Sequence, residues 1–366
     1  MRIMITGGGT AGHTSPAVAI IEELQKRDPR LELQWVGCRG SVEQRVCATL
    51  SIPFRNVAVR GWPRTGFLRR LWALITLGFG VVRCMFLLRS FRPQVVIGVG
   101  GYVSVPLTWL AQRFGIATIL HEQNKQLGLA NRLLAPKAAK LLLSFPGTKG
   151  TYPEDRAVIV GNPVRRGFLE PPERAAACAT LELDPAIPVV LVCGGSQGAH
   201  TLNQALEEAL QHFGAEEAQF IWMTGKSEVA HARRVASRAK ASVTVHAFID
   251  DMVTACSAAT VMVSRAGASS SAEIASLGKP SILVPYPFAT DNHQEVNAKA
   301  FEEAGAAVLI LDSECTGSRL LEELRAMLAD APRLKRMGEA ARALAKPVAV
   351  ETIVETIFSV SFEEAS

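Results

Sequence analysis

The sequence predicts an α/β protein of two doubly wound parallel-sheet domains in tandem. Three observations carry this. Short apolar runs bounded by glycine alternate with helical segments, which is the pattern of buried parallel strands joined by crossover helices. The alternation restarts after the stretch GNPVRRG at 161–167. The opening loop Gly8-Gly9-Thr10-Ala11-Gly12 also recurs as Gly194-Gly195-Ser196-Gln197-Gly198, at an offset of 186 in a chain of 366 residues.

In order, the strand-like runs of the first half are RIMIT, LQWVG, VVIGVGG, ATILHEQ and LLLSF. Those of the second half are PVVLVCGG, QFIWMTG, VTVHAFI, ATVMVSRAG, KPSILVPYP and AAVLIL. The chain is too long for one ordinary core, and about 100–200 residues per domain suggests two. The expected division is 1–162, 163–344 and a C-terminal helical segment, 345–366, packing back toward the first domain. Both glycine loops end a strand and lead into a helix, the place where open α/β sheets bind ligands. The cleft between the domains is therefore the expected site, and Gly98-Val99-Gly100-Gly101-Tyr102 forms a third glycine turn after a strand.

Composition narrows the classes. Hydrophobic residues make up 48% and charged residues 20%, as in a globular protein. The seven cysteines are scattered and never spaced C-x-x-C, so neither a disulfide framework nor a zinc site is expected. The N-terminal run lacks a basic segment followed by a long apolar one, and a cytoplasmic location is expected.

The net charge of +5 conceals an asymmetry: residues 44–121 contain ten arginines and no Lys, Asp or Glu. Inside that block, Phe67–Leu88 is largely apolar but interrupted by Arg69, Arg70 and Arg83. Its longest uncharged run, Leu71–Val82, has 12 residues, short of the ~20 that span a bilayer. A broad apolar helix surface rimmed by arginines, lying on an anionic leaflet, is the expectation; the alternative is a core helix whose arginines solvate its ends.

Gly7, Gly9 and Gly12 satisfy G-x-G-x-x-G, so a nicotinamide enzyme is one reading. That reading needs an acidic residue closing the second strand, and LQWVG runs into Cys38-Arg39 instead. A nucleotide-sugar transferase with the nucleotide on the second domain uses both glycine loops. Backbone amides at helix N-termini, with Arg165, would take up charge on the departing diphosphate, and no D-x-D triplet is present for a metal.

The stretches GGGTAGHTSPAVAI, VVIGVGGYVSVP, LHEQN, VGNPVR, GGSQGAHTLN, FIDDM, SRAGASSSAEIA and DNHQEVNA stand in one order along nearly the whole chain. In these the sequence resembles the MurG family of inverting glycosyltransferases, which have the two-Rossmann GT-B fold. The resemblance implies transfer of N-acetylglucosamine from UDP-GlcNAc to the C4 hydroxyl of the MurNAc of lipid I, forming lipid II for the cell wall. It implies an acceptor- and membrane-associating first domain and a UDP-GlcNAc-binding second domain. No tightly bound cofactor and no metal site are implied. The partners implied are lipid I, an anionic membrane surface and proteins of cell-wall synthesis and division, with no nucleic acid. The place implied is the cytoplasmic face of the bacterial inner membrane, peripherally.

Residue by residue, the resemblance puts Ile249 at the uracil and Glu273 at the ribose hydroxyls. Ser196 and Arg165 fall at the donor phosphates, beside the segment Ala268, Ser269, Ser270, Ser271 and Ala272. Asn124, His293 and Gln294 fall at the donor sugar; the family often has two glutamines where His293-Gln294 stands. Thr10, Ala11, Gly12 and His13 would face the transferred sugar, with Ala11 at a position more often glycine. Gly9, Gly100, Gly101, Tyr102, Gly195, Gln197 and Gly198 complete the acceptor and diphosphate loops. An imidazole titrates near neutral pH, so His13 is the first choice of base and Glu122 the second; His200 is read as structural. Diacylglycerol glycosyltransferases and UDP-sugar 2-epimerases share the architecture and stay open as alternatives, as does a non-catalytic nucleotide-binding module.

Overall fold

The computed structural model describes residues 1–8, 11–59, 67–195, 198–289 and 292–363; the side chains of residues 11, 67–71, 74, 362 and 363 lie outside the description. The chain forms two compact units, Met1–Arg165 with Lys346–Ser366, and Arg166–Ala345.

The first unit holds β1 (Arg2–Thr6), β2 (Glu32–Gly37), β3 (Phe54–Asn56), β4 (Val95–Gly98), β5 (Ala117–Glu122), β6 (Lys140–Leu143) and β7 (Ala157–Ile159). They form one parallel sheet in the order β3-β2-β1-β4-β5-β6-β7, with Ile3 opposite Leu33 on one side and Val95 on the other. The second unit holds β8 (Val189–Cys193), β9 (Gln219–Met223), β10 (Val243–His246), β11 (Val261–Ser264), β12 (Ser281–Leu283) and β13 (Ala307–Leu309). Their parallel order, β10-β9-β8-β11-β12-β13, repeats that of the first six strands of the other sheet. Every run read as a strand in the sequence is a strand. The two unread strands, β3 and β7, are three-residue edges without a fully buried residue.

In each sheet the order reverses between two central neighbours, β1 and β4 or β8 and β11. Crossovers leave in opposite directions there, so the strand ends open onto a crevice. The turns that matter are thus set by topology: those that leave β1 at Gly7-Gly8 and β4 at Val99–Tyr102 in the first unit, and those that leave β8 at Gly194-Gly195 and β11 at Arg265–Gly267 in the second.

Helices cover both sheets. The helix Ala11–Arg27 begins five residues before Pro16, which it contains. It packs with the C-terminal helix Ala349–Glu363, whose Ile353, Val354 and Ile357 are fully buried in the first unit's core. The helix Phe67–Phe91 has two apolar faces. Ala73, Cys84, Leu87 and Leu88 are buried, while Trp72, Ile75, Phe79, Val82 and Phe86 lie 42–70% exposed, at the three- and four-residue spacing of a single stripe.

His121, near the end of β5, is wholly buried. Its Nδ1 accepts from the Gln123 amide at 2.9 Å, and its Nε2 faces Gly161 O and Ser144 Oγ at 3.4 Å each. Burial pushes its pKa from 6.5 down to about 4, against the hydrogen bond to Gly161, with the nearby His13 charge adding to the fall. The unfolded chain therefore takes up a proton that the native state refuses between pH 6.5 and 4. Stability contributed by the neutral ring is complete above pH 6.5 and is lost as pH drops toward 4, on the order of 3 kcal/mol. The urea midpoint should fall across that window in the parent and fall less in His121→Asn; an equal fall in both would show that His121 is not the group responsible.

Candidate functional site

Site residues of the first unit gather at the two turns beside β1 and β4. Gly7 and Gly8 leave β1 at φ +134° and +141°, and Gly100 and Gly101 leave β4 at +91° and +78°. These turns touch: a Cβ on Gly101 would sit 2.6 Å from the Gly8 carbonyl oxygen, closer than real Cβ atoms approach. A Cβ on Gly100 would sit 2.9 Å from His13 Cδ2 and 3.5 Å from Gln123 Oε1. His13, in the first turn of Ala11–Arg27, therefore lies over Gly100. Ala11 is the first residue of that helix, so the backbone there is helical and needs no glycine.

Glu43 is a site feature the sequence reading missed. It is fully buried in the first turn of the helix Val42–Thr49. A Cβ on Gly8 would strike its carboxyl group at 2.5–2.7 Å, so the carboxylate is seated against the first glycine loop. Its charge also contributes to raising Tyr102, whose pKa is pushed up by burial and then by Cys38 and Glu43. An acid does follow β2, but as a resident anion where a cofactor phosphate would otherwise approach the loop. That arrangement disfavours the dinucleotide reading on charge and space alike.

Glu122 ends β5 and is 2% exposed. Its Oε1 accepts from the backbone and side-chain amides of Asn124 at 3.0 and 3.1 Å, and its Oε2 from Gly128 N and Asn131 Nδ2 at 2.8 and 2.9 Å. Both oxygens are engaged with the loop that carries Asn124. The geometry is that of a group that positions this loop. Asn162, in the stretch leading to Arg165, is buried with neither side-chain polar atom hydrogen-bonded; buried polar groups are rarely left so. Arg165 is the last residue of the first unit's main segment.

In the second unit the helix His200–Leu210 follows the second glycine loop, and the helix Ala268–Leu277 follows β11. Neither has a side-chain N-cap or an acid in its first turn. Their leading N–H groups keep the partial positive charge that attracts anions. Ala268, Ser269 and Ser271 are buried, with Ser270 and Ala272 partly so. Glu273 stands in the second turn rather than opening the helix, one turn beyond electrostatic capping. Cys193, at the end of β8, is pushed up to about 12 by burial and then by the charge of Glu273. The charge of Glu273 is thus felt at Cys193, the last residue of the strand that feeds the second glycine loop.

Ile249 lies buried in the loop after β10. His293 opens the helix His293–Glu303 behind Asn292, whose φ is +55°. Gln294 is tied down through Oε1, which accepts from Tyr286 N at 2.9 Å, and among the described residues its amide nitrogen has no partner. Gly195 and Gly198 flank the second loop at φ +88° and +80°. Gly9, Thr10, Ser196 and Gln197 lie outside the described residues, as does the Ala11 side chain. Among the described residues, no cluster of His, Cys, Asp and Glu is arranged to hold a metal ion.

Comparison with known proteins covers both units. The model of the glycosyltransferase family 28 N-terminal domain matches residues 3–143, and that of the family 28 C-terminal domain matches 189–353. A protein of Desulforudis audaxviator is 40% identical over 98% of this chain and 98% of its own length. One of Halalkalibacterium halodurans is 37% identical over 96% and 98%. Both are named UDP-N-acetylglucosamine--N-acetylmuramyl-(pentapeptide) pyrophosphoryl-undecaprenol N-acetylglucosamine transferase. The crystal structure of Acinetobacter baumannii MurG superimposes with a TM-score of 0.73 at 27% identity, covering 98% of this chain and 99% of that one. With two matched domains, two doubly wound sheets and full-length relatives, the chain belongs to glycosyltransferase family 28, in the group that includes MurG.

Proposed function

We propose that this glycosyltransferase moves N-acetylglucosamine from UDP-GlcNAc to the C4 hydroxyl of the MurNAc of lipid I, with inversion, releasing lipid II and UDP. The observation that carries the reading is identity of 37–40% over nearly the whole chain to relatives named for that reaction. The geometry supports it. The second unit offers a half-buried carboxylate, Glu273, to two ribose hydroxyls, and two uncapped helix ends to a diphosphate. Ile249 lies at the uracil and Gln294, through its free amide nitrogen, at the sugar, with His293 beside it.

The chemistry asks for three things of the protein. A base takes the proton from the acceptor hydroxyl as its oxygen attacks the anomeric carbon. The bond from that carbon to the diphosphate oxygen breaks, and the electron pair leaves with UDP. Preorganised N–H dipoles and Arg165 stabilise the charge that develops there. His13 is the base, its half-buried imidazole lying over the Gly100 turn; Glu122 positions the Asn124 loop.

Membrane association rests on the exposed stripe of Phe67–Phe91. Phe114 adjoins it through Arg89, whose guanidinium lies 5.4 Å over the ring, and Trp109 is also exposed, with Arg113 at 5.2 Å over its ring. Arg55, Arg83 and Phe86 line a depression of about 530 Å³ at its edge. Among the described residues no acidic side chain pairs with Arg55, Arg83, Arg89 or Arg113. Unneutralised arginines beside exposed aromatics suit an anionic leaflet, and no helix among the described residues is long and apolar enough to cross a membrane. The surface is therefore proposed to lie peripherally on the cytoplasmic face of the inner membrane. Arg60, Trp62 and Arg64 lie outside the described residues, as do the side chains of Phe67, Leu68, Arg69 and Arg70.

Labelled UDP-GlcNAc and a lipid I analogue, with the products separated, test the reaction. Absence of labelled lipid product from active, UDP-binding protein would overturn the acceptor assignment. Glu273→Ala should weaken UDP binding by about tenfold or more, through lost charge-assisted hydrogen bonds; calorimetry giving the parental affinity would remove Glu273 from the site. His13→Ala should lower kcat ~10²–10⁴-fold with UDP affinity preserved. Parental turnover in that variant, with activity abolished in Glu122→Gln, would reverse the two roles. Vesicles containing anionic lipid should sediment the protein at low salt, and replacing Arg69, Arg70 and Arg83 by Glu should release it while UDP binding persists. Equal sedimentation with neutral and anionic vesicles, or none with either, would rule the surface out.

A further inference from the structure

Arg265 was not singled out by the sequence, yet it stands in the turn after β11, at the point where the second sheet reverses its order. Its guanidinium is 11% exposed, so its charge needs partners. Nη1 lies 2.5 Å from Asp312 Oδ1, 3.2 Å from Val284 O and 3.1 Å from Pro285 O, and the group stacks 5.6 Å over the Tyr286 ring. Asp312 follows β13 and is itself 18% exposed. Its other oxygen, Oδ2, accepts from Thr201 Oγ1 at 3.1 Å.

One carboxylate thus joins three segments far apart in sequence. Through Thr201 it holds the first turn of His200–Leu210, directly behind the second glycine loop. Through Arg265 it holds the turn that leads into Ala268–Leu277, the helix of Glu273. Arg265 in turn fixes Val284-Pro285-Tyr286, and Tyr286 N donates to Gln294. These are the segments assigned above to diphosphate, ribose and sugar. A cost arises on removing one partner of such a pair, because the remaining charge is left buried and free to swing.

We infer that Asp312 is a positioning residue for the nucleotide-sugar donor, locking the diphosphate loop and the sugar-binding segment into one geometry through Thr201 and Arg265. The inference rests on the proposed donor reading. Its two arms make separate demands. Loss of the Thr201 arm loosens only the helix behind the diphosphate loop, so UDP and UDP-GlcNAc should suffer alike. Loss of the Arg265 arm also releases the Tyr286–Gln294 segment, so UDP-GlcNAc should suffer more than UDP.

Calorimetry with UDP and UDP-GlcNAc, and donor-saturation kinetics, on the parent, Thr201→Val and Asp312→Asn test this. Thr201→Val should raise both dissociation constants by a similar factor of about three to five. Asp312→Asn should raise that for UDP-GlcNAc roughly tenfold or more, and that for UDP by less, with donor KM rising in step and kcat at saturating donor within about threefold of the parent. A merely structural role would lower the folded fraction and leave these constants in place. Dissociation constants within twofold of the parent in both variants, or a fall in kcat with unchanged donor KM, would overturn the proposal. Should Asp312→Asn fail to fold, an unchanged pair of constants in Thr201→Val would overturn it alone. A parent protein that binds neither UDP nor UDP-GlcNAc would overturn the donor reading itself, and this proposal with it.

Discussion

The first unit's site depends on two backbone turns being allowed to touch. β1 and β4 are neighbours, so their C-terminal turns emerge side by side, and a side chain on Gly101 would collide with the Gly8 carbonyl. With hydrogen at these positions the turns close on each other, and the imidazole of His13 comes to rest over Gly100. The left-handed φ values at Gly100 and Gly101 ask for glycine a second time. The geometry at these turns is therefore a consequence of sheet order together with missing Cβ atoms. Gln123, donating to Val99 O at 3.0 Å and to His121, fastens the β4 turn to β5.

Sheet order is duplicated in the second unit, but the duplicate turns carry different charge. In the first unit the loop is already occupied by the carboxylate of Glu43. In the second, two helix ends arrive without side-chain N-caps; of the acids near them, Asp312 accepts from Thr201 but is paired with Arg265, and Glu228 accepts from Asn203 and faces His200. The same fold thus presents one loop with a carboxyl group seated against it and another that leads into a helix without a side-chain cap. A diphosphate would gain little at the first, where it would meet a like charge, and more at the second. The two glycine loops, alike in sequence, thus differ in the acids placed around them.

Much of this was legible in the sequence for a physical reason: a strand buried on both faces must be an uninterrupted apolar run, and eleven such runs are strands. β3 and β7 escaped because three-residue edges bury too little to leave a pattern. The doubled glycine loop was legible because close backbone approach leaves a residue type behind. Glu43 was not, since a dinucleotide acid closes the second strand itself, whereas the carboxyl group that reaches Gly8 comes from the first turn of the following helix. Nor was the Arg265–Asp312 pair, which spans 47 residues; a long-range ion pair imprints no local spacing. Glu122 was legible as a residue of interest, but only its four amide donors distinguish positioning a loop from accepting a proton.

The helix Phe67–Phe91 shows how composition and packing constrain each other. An ordinary covering helix needs one apolar stripe, and the stripe of Ala73, Cys84, Leu87 and Leu88 supplies it. The second stripe adds nothing to the core and exposes aromatic surface, which water opposes. Acidic neighbours would improve solubility and pair with the arginines, yet 78 consecutive residues contain none. Arginine alone resolves the conflict differently: its weakly hydrated guanidinium stacks on rings, as Arg89 does on Phe114, and keeps its charge for an outside partner. A surface so composed is costly in water and complementary to a layer that is apolar below and anionic above, so the feature least suited to a freely diffusing protein is the one that would suit a partner of that composition.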